Sequence, residues 1–167
     1  MGRTSFIVII AVAIAFFFRT YCFEVIYIAT PSMEPAYPVK QQLLVNKMAY
    51  KFVKPKRGDV VMFHSPVEDK DLVKRIIGLP GEDISIENKE VFINGEWLVE
   101  DYVQLVRPDS ILVGDNIESM TIFTGEYFVM GDNRDVSRDS RDWSEEPGMQ
   151  CDTVNLKKIK GKVIYSF

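Results

Sequence analysis

A serine and a lysine are the side chains of this sequence whose surroundings suit nucleophilic chemistry. Ser32 lies in "IATPSMEPAY", where Pro31 and Pro35 favour an extended or turning backbone over a helix. Lys74 lies in the apolar strand pattern "DLVKRIIG", and a buried, unpaired lysine tends to lose its proton. Lowering its pKa from about 10.4 to near 8 requires roughly 3 kcal/mol of desolvation, and the neutral amine is then a general base. Taken singly, however, each residue is better explained as an exposed turn serine or an outward-facing strand lysine.

The stretch "GDNRDVSRDSRDW", residues 131–143, concentrates four aspartates and three arginines around two serines, directly after the apolar run "EYFVM". By composition it is typical of a charged loop in solvent. A calcium loop that starts at Asp135 would place Ser137 and Asp139 at positions three and five, and Glu146 at position twelve. It would also place Ser140 at position six, where a glycine is required, so calcium binding is disfavoured.

The other residues that often carry chemistry exclude several kinds of site. His64 is the single histidine, and we expect a strand-end side chain near the surface whose mutation leaves activity largely intact. Cys22 and Cys151 form no CxxC pair, which argues against a disulfide scaffold or a cysteine zinc site. A net charge of −4 provides no electrostatic reason for nucleic-acid binding. These residues therefore indicate neither a cysteine- or histidine-based metal site nor a nucleic-acid partner.

The N-terminal segment is the most apolar part of the chain. Residues 6–18, "FIVIIAVAIAFFF", contain no polar side chain, and with the two residues before them a helix would cover roughly 22 Å. Continuing through "RTYCF", with Arg19 at the interface, brings it closer to the ~30 Å hydrocarbon core. A cleaved signal peptide or a buried core helix is the alternative, but the run ends in three phenylalanines rather than small residues. We predict a membrane anchor at residues 1–22, whose orientation the flanking charges do not decide.

From residue 23 onward, short β-branched and aromatic runs alternate with turn signals, which predicts a mainly antiparallel β domain over residues 23–167. Asn94-Gly95, between "EVFI" and "EWLV", is the strongest hairpin signal, because a type I′ turn needs positive φ at both central residues. Pro80-Gly81 predicts a type II turn. A short helix is expected near "NKMAYKF". A chain of 167 residues is long enough for one domain with a core.

Four segments follow one another in the chain: "SMEP" at 32–35, "RGDVVMF" at 57–63, "VKRIIGLPGE" at 73–82 and "GDNRDVSRDSR" at 131–141. In this order they resemble the motifs of the bacterial type I signal peptidases, also called leader peptidases. With the apolar N-terminus they extend over nearly the whole chain, and the last two are long and specific. The resemblance implies a mainly β fold, with an antiparallel β-sheet peptidase domain of signal-peptidase type and one N-terminal transmembrane helix.

The resemblance also implies a role for individual residues. Ser32 is implied as the nucleophile and Lys74 as the general base of a Ser-Lys dyad, with the backbone N–H of Ser32 and the hydroxyl of Thr30 as oxyanion donors. Ser137 is implied to hydrogen-bond the lysine amine. The charged residues implied to pair beneath the site are Arg75, Asp132, Asp139 and Arg141. The residues implied to line small apolar pockets for an A-x-A motif ahead of the scissile bond are Ile28, Met33 and Val73.

The implied function is that of a single-pass serine endopeptidase that removes signal peptides from exported preproteins. It would be anchored in the lipid bilayer, would act at the outer face of a bacterial cytoplasmic membrane, and would need no metal or organic cofactor. A conjugation-type pilin peptidase shares the dyad, and a catalytically inactive, membrane-tethered β binding module would keep the fold. A self-cleaving repressor would require a helix-turn-helix domain in place of the apolar N-terminus. Pro31 and Ala36 depart from the family's usual glycine and threonine, but neither is a reacting group. No pattern in the sequence indicates an oligomeric state.

Overall fold

An exposed apolar helix precedes the strands. Helix α1 extends over Arg3–Tyr21, none of its side chains is buried, and it is long and apolar enough to cross a membrane by length and composition. Its 19 residues rise about 28 Å, close to the thickness of a bilayer core. The structure is a computed structural model that describes residues 2–143 and 152–167. Glu146 of the calcium-loop alternative and Cys151 lie outside these ranges.

The described residues form eleven strands in two sheets, and all their strand pairs are antiparallel, so the predicted fold class is confirmed. The larger sheet has the order β1-β2-β11-β3-β4-β9-β10 and the smaller sheet the order β7-β6-β5-β8. The strands of the larger sheet are β1 Phe23–Tyr27, β2 Gln42–Asn46, β3 Val60–His64, β4 Asp71–Gly78, β9 Glu126–Met130, β10 Val154–Asn155 and β11 Ile159–Ser166. The strands of the smaller sheet are β5 Asp83–Glu87, β6 Glu90–Ile93, β7 Glu96–Trp97 and β8 Ile117–Thr121.

Most of the predicted strands are present, and the two predicted turns have the expected backbone. Asn94 and Gly95 have φ angles of 52° and 80°, as a type I′ turn requires, and Gly81 has a φ of 87°. Strands β8 and β10 were not predicted: "IESMT" has little apolar alternation, and β10 has only two residues. The helix expected near "NKMAYKF" is a single 3₁₀ turn at Ala49–Lys51.

Strand β3 is the centre of the part of the fold that holds the charged motifs. Val60 and Met62 pack in one apolar cluster, while Val61 and Phe63 pack in another on the opposite face. A strand buried on both faces needs a continuous apolar sequence, as "VVMF" provides. The neighbouring β4 is held in register by β3, with Val61 opposite Lys74 and Val60 opposite Arg75. The two cations of β4 therefore point to opposite faces of the sheet.

Candidate active site

Ser32 lies on a short 3₁₀ turn, Pro31–Met33, that follows β1. This single turn, followed by extended backbone at Glu34, agrees with the turning or extended path expected between the two prolines. Pro31 occupies the first helical position, where its missing N–H removes no intrahelical hydrogen bond and its fixed φ suits the turn. The backbone leading to the turn is held by two hydrogen bonds of Ile28, from its N–H to Gln41 O at 3.0 Å and from Lys40 N–H to its carbonyl at 2.8 Å.

The segment after β9 packs against the backbone of Ser32. Asn133 donates its backbone N–H to the carbonyl of Ser32 at 3.1 Å. A Cβ added at Gly131 would collide with that same carbonyl oxygen and with the side chain of Ser137. Only a glycine allows the two backbones to approach this closely, which explains why the first residue of "GDNR" is a glycine. The motif that reads as a solvent-exposed loop lies directly against the serine turn.

Lys74 reaches the serine from β4. Its Nζ lies 2.8 Å from Ser32 Oγ, within the 2.6 to 3.2 Å range expected of a nucleophile and its base, and the residue is 3 % exposed. Burial lowers the pKa of Lys74 to about 8; the negative charge of Asp139 partly opposes this shift and the positive charge of Arg141 adds to it. The hydroxyl of Thr30 lies 3.1 Å from Ser32 Oγ. The site therefore places the Ser32 hydroxyl within hydrogen-bond distance of a readily deprotonated amine, from Lys74, and of a second hydroxyl, from Thr30.

Ser137 does not make the hydrogen bond that the family resemblance implies. Its hydroxyl donates to Asp139 Oδ2 at 2.6 Å, and no hydrogen bond joins it to Lys74 in the described part of the chain. A carboxylate is a stronger acceptor than an amine that already faces the serine, which explains the preference. In this structure Ser137 is therefore linked to Lys74 indirectly, through its hydrogen bond to the Asp139 carboxylate.

Asp139 is fully buried and receives several donors. Its carboxylate accepts from Gly131 N–H at 2.9 Å and from Arg141 Nε at 2.9 Å, in addition to Ser137. Burial by itself raises the pKa of Asp139, but the charge and hydrogen bonds of Arg141, helped by Lys74 and Ser137, outweigh it and hold the pKa below its ordinary value. Asp139 is thus a charged buried group whose partners come from its own loop and from β4. Two of the four charged residues implied to pair beneath the site, Asp139 and Arg141, therefore form one ion pair.

Arg75 forms a second, partly buried ion pair on the other face of β4. Its guanidinium binds Asp132 in a bidentate manner, with Nε to Oδ1 at 2.8 Å and Nη2 to Oδ2 at 2.6 Å, and Nη1 donates to Gly58 O at 3.0 Å. The ring of Tyr102 covers the guanidinium at 4.1 Å, a cation–π contact. Parallel donors to one carboxylate fix both distance and orientation, so this pair ties the 131–143 segment to β4.

A segment that the sequence did not single out braces the same motif. Gln104 accepts from Arg134 N–H at 3.0 Å and donates its own N–H to Asp132 O at 2.8 Å, while Arg134 pairs with Glu100 at 2.6 Å. Tyr102 donates its hydroxyl to the same Glu100 carboxylate at 2.6 Å. Residues 100–104 show no strand alternation or known motif, so no local signal could have identified them.

The carboxylates of the calcium-loop alternative bind cations of the protein. Asp135 pairs with Lys89 Nζ at 2.7 Å and accepts the N–H of Arg107 at 2.5 Å, and Asp139 is engaged as above. Within residues 2–143 and 152–167, no group of three or more His, Cys, Asp or Glu side chains is placed to hold a metal ion. His64 lies at the end of β3 with its Nδ1 3.4 Å from Asp71, and Cys22 is a free thiol at the end of α1.

A cavity of about 160 Å³ opens beside Ser32 and Lys74. Its walls are the chain from Tyr27 to Met33 on one side and residues 70–74 on the other. The three residues expected to line apolar pockets all contribute to it, namely Ile28, Met33 and Val73. A larger recess of about 790 Å³ lies between α1 and the strands β1 and β2, and contains neither member of the Ser-Lys pair.

Comparison with known proteins gives consistent matches. A family model described as "Signal peptidase, peptidase S26" matches residues 1–167. "Signal peptidase I" of Leptolyngbya laminosa is 35% identical over 146 residues, 83% of this chain and 69% of that protein, and "Signal peptidase I P" of Bacillus subtilis subsp. natto is 35% identical over 138 residues, 80% and 74% of the two chains. A crystal structure of a signal peptidase I from Enterococcus faecalis V583 superposes with a TM-score of 0.52 at 31% identity, covering 67% of this chain and 98% of the other.

Proposed function

Because this chain belongs to the signal peptidase family, peptidase S26, as its motifs predict, we propose that it cleaves N-terminal signal peptides from exported preproteins. Family membership makes it a hydrolase of the serine peptidase class. The proposal assigns the nucleophile to Ser32 and the general base to Lys74. It further makes the enzyme membrane-anchored, through residues 1–22, with residues 23–167 as the catalytic part.

The observation that carries the proposal is the 2.8 Å approach of Lys74 Nζ to Ser32 Oγ in a buried setting. An ammonium group has no lone pair, so only the neutral amine can accept the serine proton. With a pKa of about 8, roughly a tenth of Lys74 is neutral at pH 7 and half at pH 8. A surface lysine would be neutral in less than about one molecule in a thousand at pH 7. Burial of Lys74 therefore provides the neutral amine that can act as the general base.

The proposed reaction has two half-reactions. Ser32 Oγ attacks the scissile carbonyl carbon while its proton passes to Lys74 Nζ, and the resulting tetrahedral intermediate bears an oxyanion. Collapse breaks the C–N bond, and the Lys74 ammonium returns the proton to the leaving amine. A water molecule then attacks the acyl-enzyme ester with neutral Lys74 as base, which releases the cleaved signal peptide's carboxylate and restores Ser32.

Two groups suit the role of oxyanion donor. The N–H of Ser32 lies in the first turn of the 3₁₀ helix, where no intrahelical acceptor is available to it. The Thr30 hydroxyl lies 3.1 Å from Ser32 Oγ and lines the same cavity, so it is proposed as the second donor. Donors that are already oriented stabilise the developing charge without reorganisation, and loss of one such donor typically costs a hundred- to a thousandfold in rate, as a rough guide.

Two buried charge pairs are proposed as structural support rather than reacting groups. Asp139 with Arg141 holds the loop beneath Lys74, and Ser137 completes the donors of that carboxylate. Arg75 with Asp132 holds the following backbone, whose Asn133 N–H binds the carbonyl of Ser32. Each pair therefore fixes one side of the Ser32–Lys74 contact.

The substrate is proposed to bind as an extended strand. Strand β9 pairs with β4 only from Arg75 onward, so among the described strands β3 alone pairs with residues 71–74. Their other edge faces the cavity beside Ser32, where a peptide can add as a strand. The cavity, about 160 Å³ and lined by Ile28, Met33 and Val73, is below the usual size of a small-molecule pocket and suits short apolar side chains such as those of an A-x-A motif.

The proposed location is the outer face of a bacterial cytoplasmic membrane. Helix α1 is fully exposed, has the length of a span and lies at the N-terminus, and the matched relatives are bacterial signal peptidases. A single-pass anchor would confine the enzyme to the surface where preproteins emerge, so that docking is effectively two-dimensional. Ser-Lys chemistry requires no metal or organic cofactor.

The test is cleavage of a purified preprotein by the full-length chain in detergent, with product identified by N-terminal sequencing. Ser32→Ala and Lys74→Ala are each expected to lower turnover by at least about a hundredfold, since general-base catalysis alone contributes that much. Lys157→Ala removes an exposed lysine from a 3₁₀ turn that does not line this cavity and serves as the matched control, with near wild-type turnover expected. Near wild-type turnover in either dyad variant contradicts the assignment, and an inactive wild type favours the binding-module alternative.

A further inference from the structure

The connection between β2 and β3 exposes an aromatic tip among lysines. Phe52 is 87% exposed and Val53 60%, and Lys51, Lys54 and Lys56 around them are exposed as well. Residues 47–57 contain five basic and no acidic side chains, although the whole chain has a net charge of −4. This segment is therefore strongly basic in a chain that is acidic overall, and its charge suits a partner of opposite charge.

The tip, residues 51–54, is held from both ends. Tyr50 packs against the cluster around Val61 and donates its hydroxyl to Asp59 at 3.0 Å. On the other side Pro55 is buried, and Lys56 N–H donates to the same Asp59 carboxylate at 3.1 Å. The exposed residues thus project from a fixed base. None of Lys51, Lys54 and Lys56 forms a side-chain ion pair within residues 2–143 and 152–167.

The start of this connection is joined to the end of the apolar helix. Lys47 donates its N–H to Cys22 O at 2.8 Å, and its Nζ donates to Thr20 O at 2.7 Å. Five residues of chain reach at most about 18 Å, so Phe52 lies within that distance of Lys47. If α1 spans a bilayer, its last turn lies at the membrane surface, and the tip lies close to the same surface.

We propose that residues 51–56 bind the surface of a bilayer that contains anionic lipid. Phe52 and Val53 enter the interfacial layer, where aromatic side chains are favoured, and the three lysines face lipid phosphates. The inference rests on the membrane anchoring in the proposed function but not on the catalytic residues. It supplies a second point of contact beside α1, and two contacts define an orientation of the catalytic part relative to the bilayer, whereas a single helix allows rotation about its axis.

The test uses the full-length chain in lipid nanodiscs of phosphatidylcholine, with and without phosphatidylglycerol, and measures amide hydrogen exchange in residues 48–57. Exchange is expected to slow when phosphatidylglycerol is present and to recover at high salt, because exposed charges are then screened. Lys51→Gln with Lys54→Gln is expected to lower the equilibrium constant for docking by roughly thirtyfold, given the typical contribution of a lysine near an anionic surface. Exchange in this variant should match that in pure phosphatidylcholine.

The matched control is Lys157→Gln with Lys158→Gln, which removes two exposed lysines from a 3₁₀ turn elsewhere and should leave the slowing intact. The proposal is overturned if the wild-type segment exchanges at the same rate in both lipids. It is also overturned if the control variant loses the slowing to the same extent as the Lys51 and Lys54 variant. Protection that persists without phosphatidylglycerol also overturns it, because charge would then play no part. Co-elution of the chain with nanodiscs reports the anchor, and preprotein cleavage reports catalysis, so failure of either is distinguished from failure of the loop.

Discussion

The protonation state of Lys74 sets a specific pH dependence for the proposed enzyme. With a pKa of about 8 on the free enzyme, the neutral fraction falls from roughly 90% at pH 9 to roughly 1% at pH 6. If the neutral amine is required, kcat/KM falls by about ninetyfold over that range and tenfold per unit well below pH 8. An unburied lysine would place the same acid limb near pH 10.4.

The assay is kcat/KM against pH with a soluble signal-peptide substrate whose own groups do not titrate between pH 6 and 9. His64→Gln is the control, because His64 is the single histidine and lies at a partly exposed strand end beside Asp71. The limb should remain in this variant. Lys74→Arg keeps a positive charge but cannot supply a neutral base, and should remove activity at every pH.

Three outcomes would refute the reasoning. A profile that is flat from pH 6 to 9 would show that Lys74 does not have to lose a proton. A limb near pH 10.4 would show that burial does not lower the pKa of Lys74 in solution. A limb that disappears with His64→Gln would transfer the base role from lysine to histidine.

Three further predictions concern the groups around Lys74. Ser137→Ala should lower turnover while the midpoint of thermal unfolding changes little, because Asp139 keeps its Gly131 and Arg141 donors; unchanged kcat would assign Ser137 no role. Asp139→Ala should lower the free energy of unfolding by about 3 to 5 kcal/mol, measured with denaturant, since it removes the nearest carboxylate of the buried Arg141 and leaves the more distant Asp115 at 3.8 Å; a folded and fully active variant would contradict this. The pKa of Lys74 is lower in the folded chain than its ordinary 10.5, so unfolding takes up a proton between about pH 8 and 10.5. The free energy of unfolding should therefore rise with pH across that window by about 3 kcal/mol relative to Lys74→Met, and parallel curves would contradict burial.

The strand pattern was readable because alternation, turn residues and apolar runs are local properties. Strand β4 and the turn at Asn94-Gly95 both appear where the sequence predicts them. Strands β8 and β10 were missed, since their stability comes from their neighbours rather than their own composition. The 3₁₀ turn at Pro31–Met33 agrees with the turning backbone expected there, because proline restricts a helix interior but is well suited to a first turn.

The candidate site was predicted only by comparing distant motifs. Ser32 and Lys74 are 42 residues apart, and Arg75 and Asp132 are 57 apart, so no single segment predicts either contact. Family resemblance supplied the grouping of these residues, and the structure brings the groups within hydrogen-bond distance. It also gives Ser137 a different partner and adds Tyr102 over Arg75, neither of which a motif encodes.

The linear order of residues was sufficient for the apolar N-terminal helix, the antiparallel β class, the family and the identities of the candidate reacting groups, because each depends on composition, spacing or motif. Three-dimensional packing was required to establish that Lys74 is buried and that its pKa falls to about 8. It also shows that Asp139 raises this pKa while Arg141 lowers it. A pKa depends on the solvent and charges within a few ångströms of a group, and those neighbours come from strands far apart in the chain. The stretch that follows Gly131 is highly charged in sequence but mostly buried in the fold, because residues distant in the chain, such as Arg75 and Lys89, pair with its carboxylates.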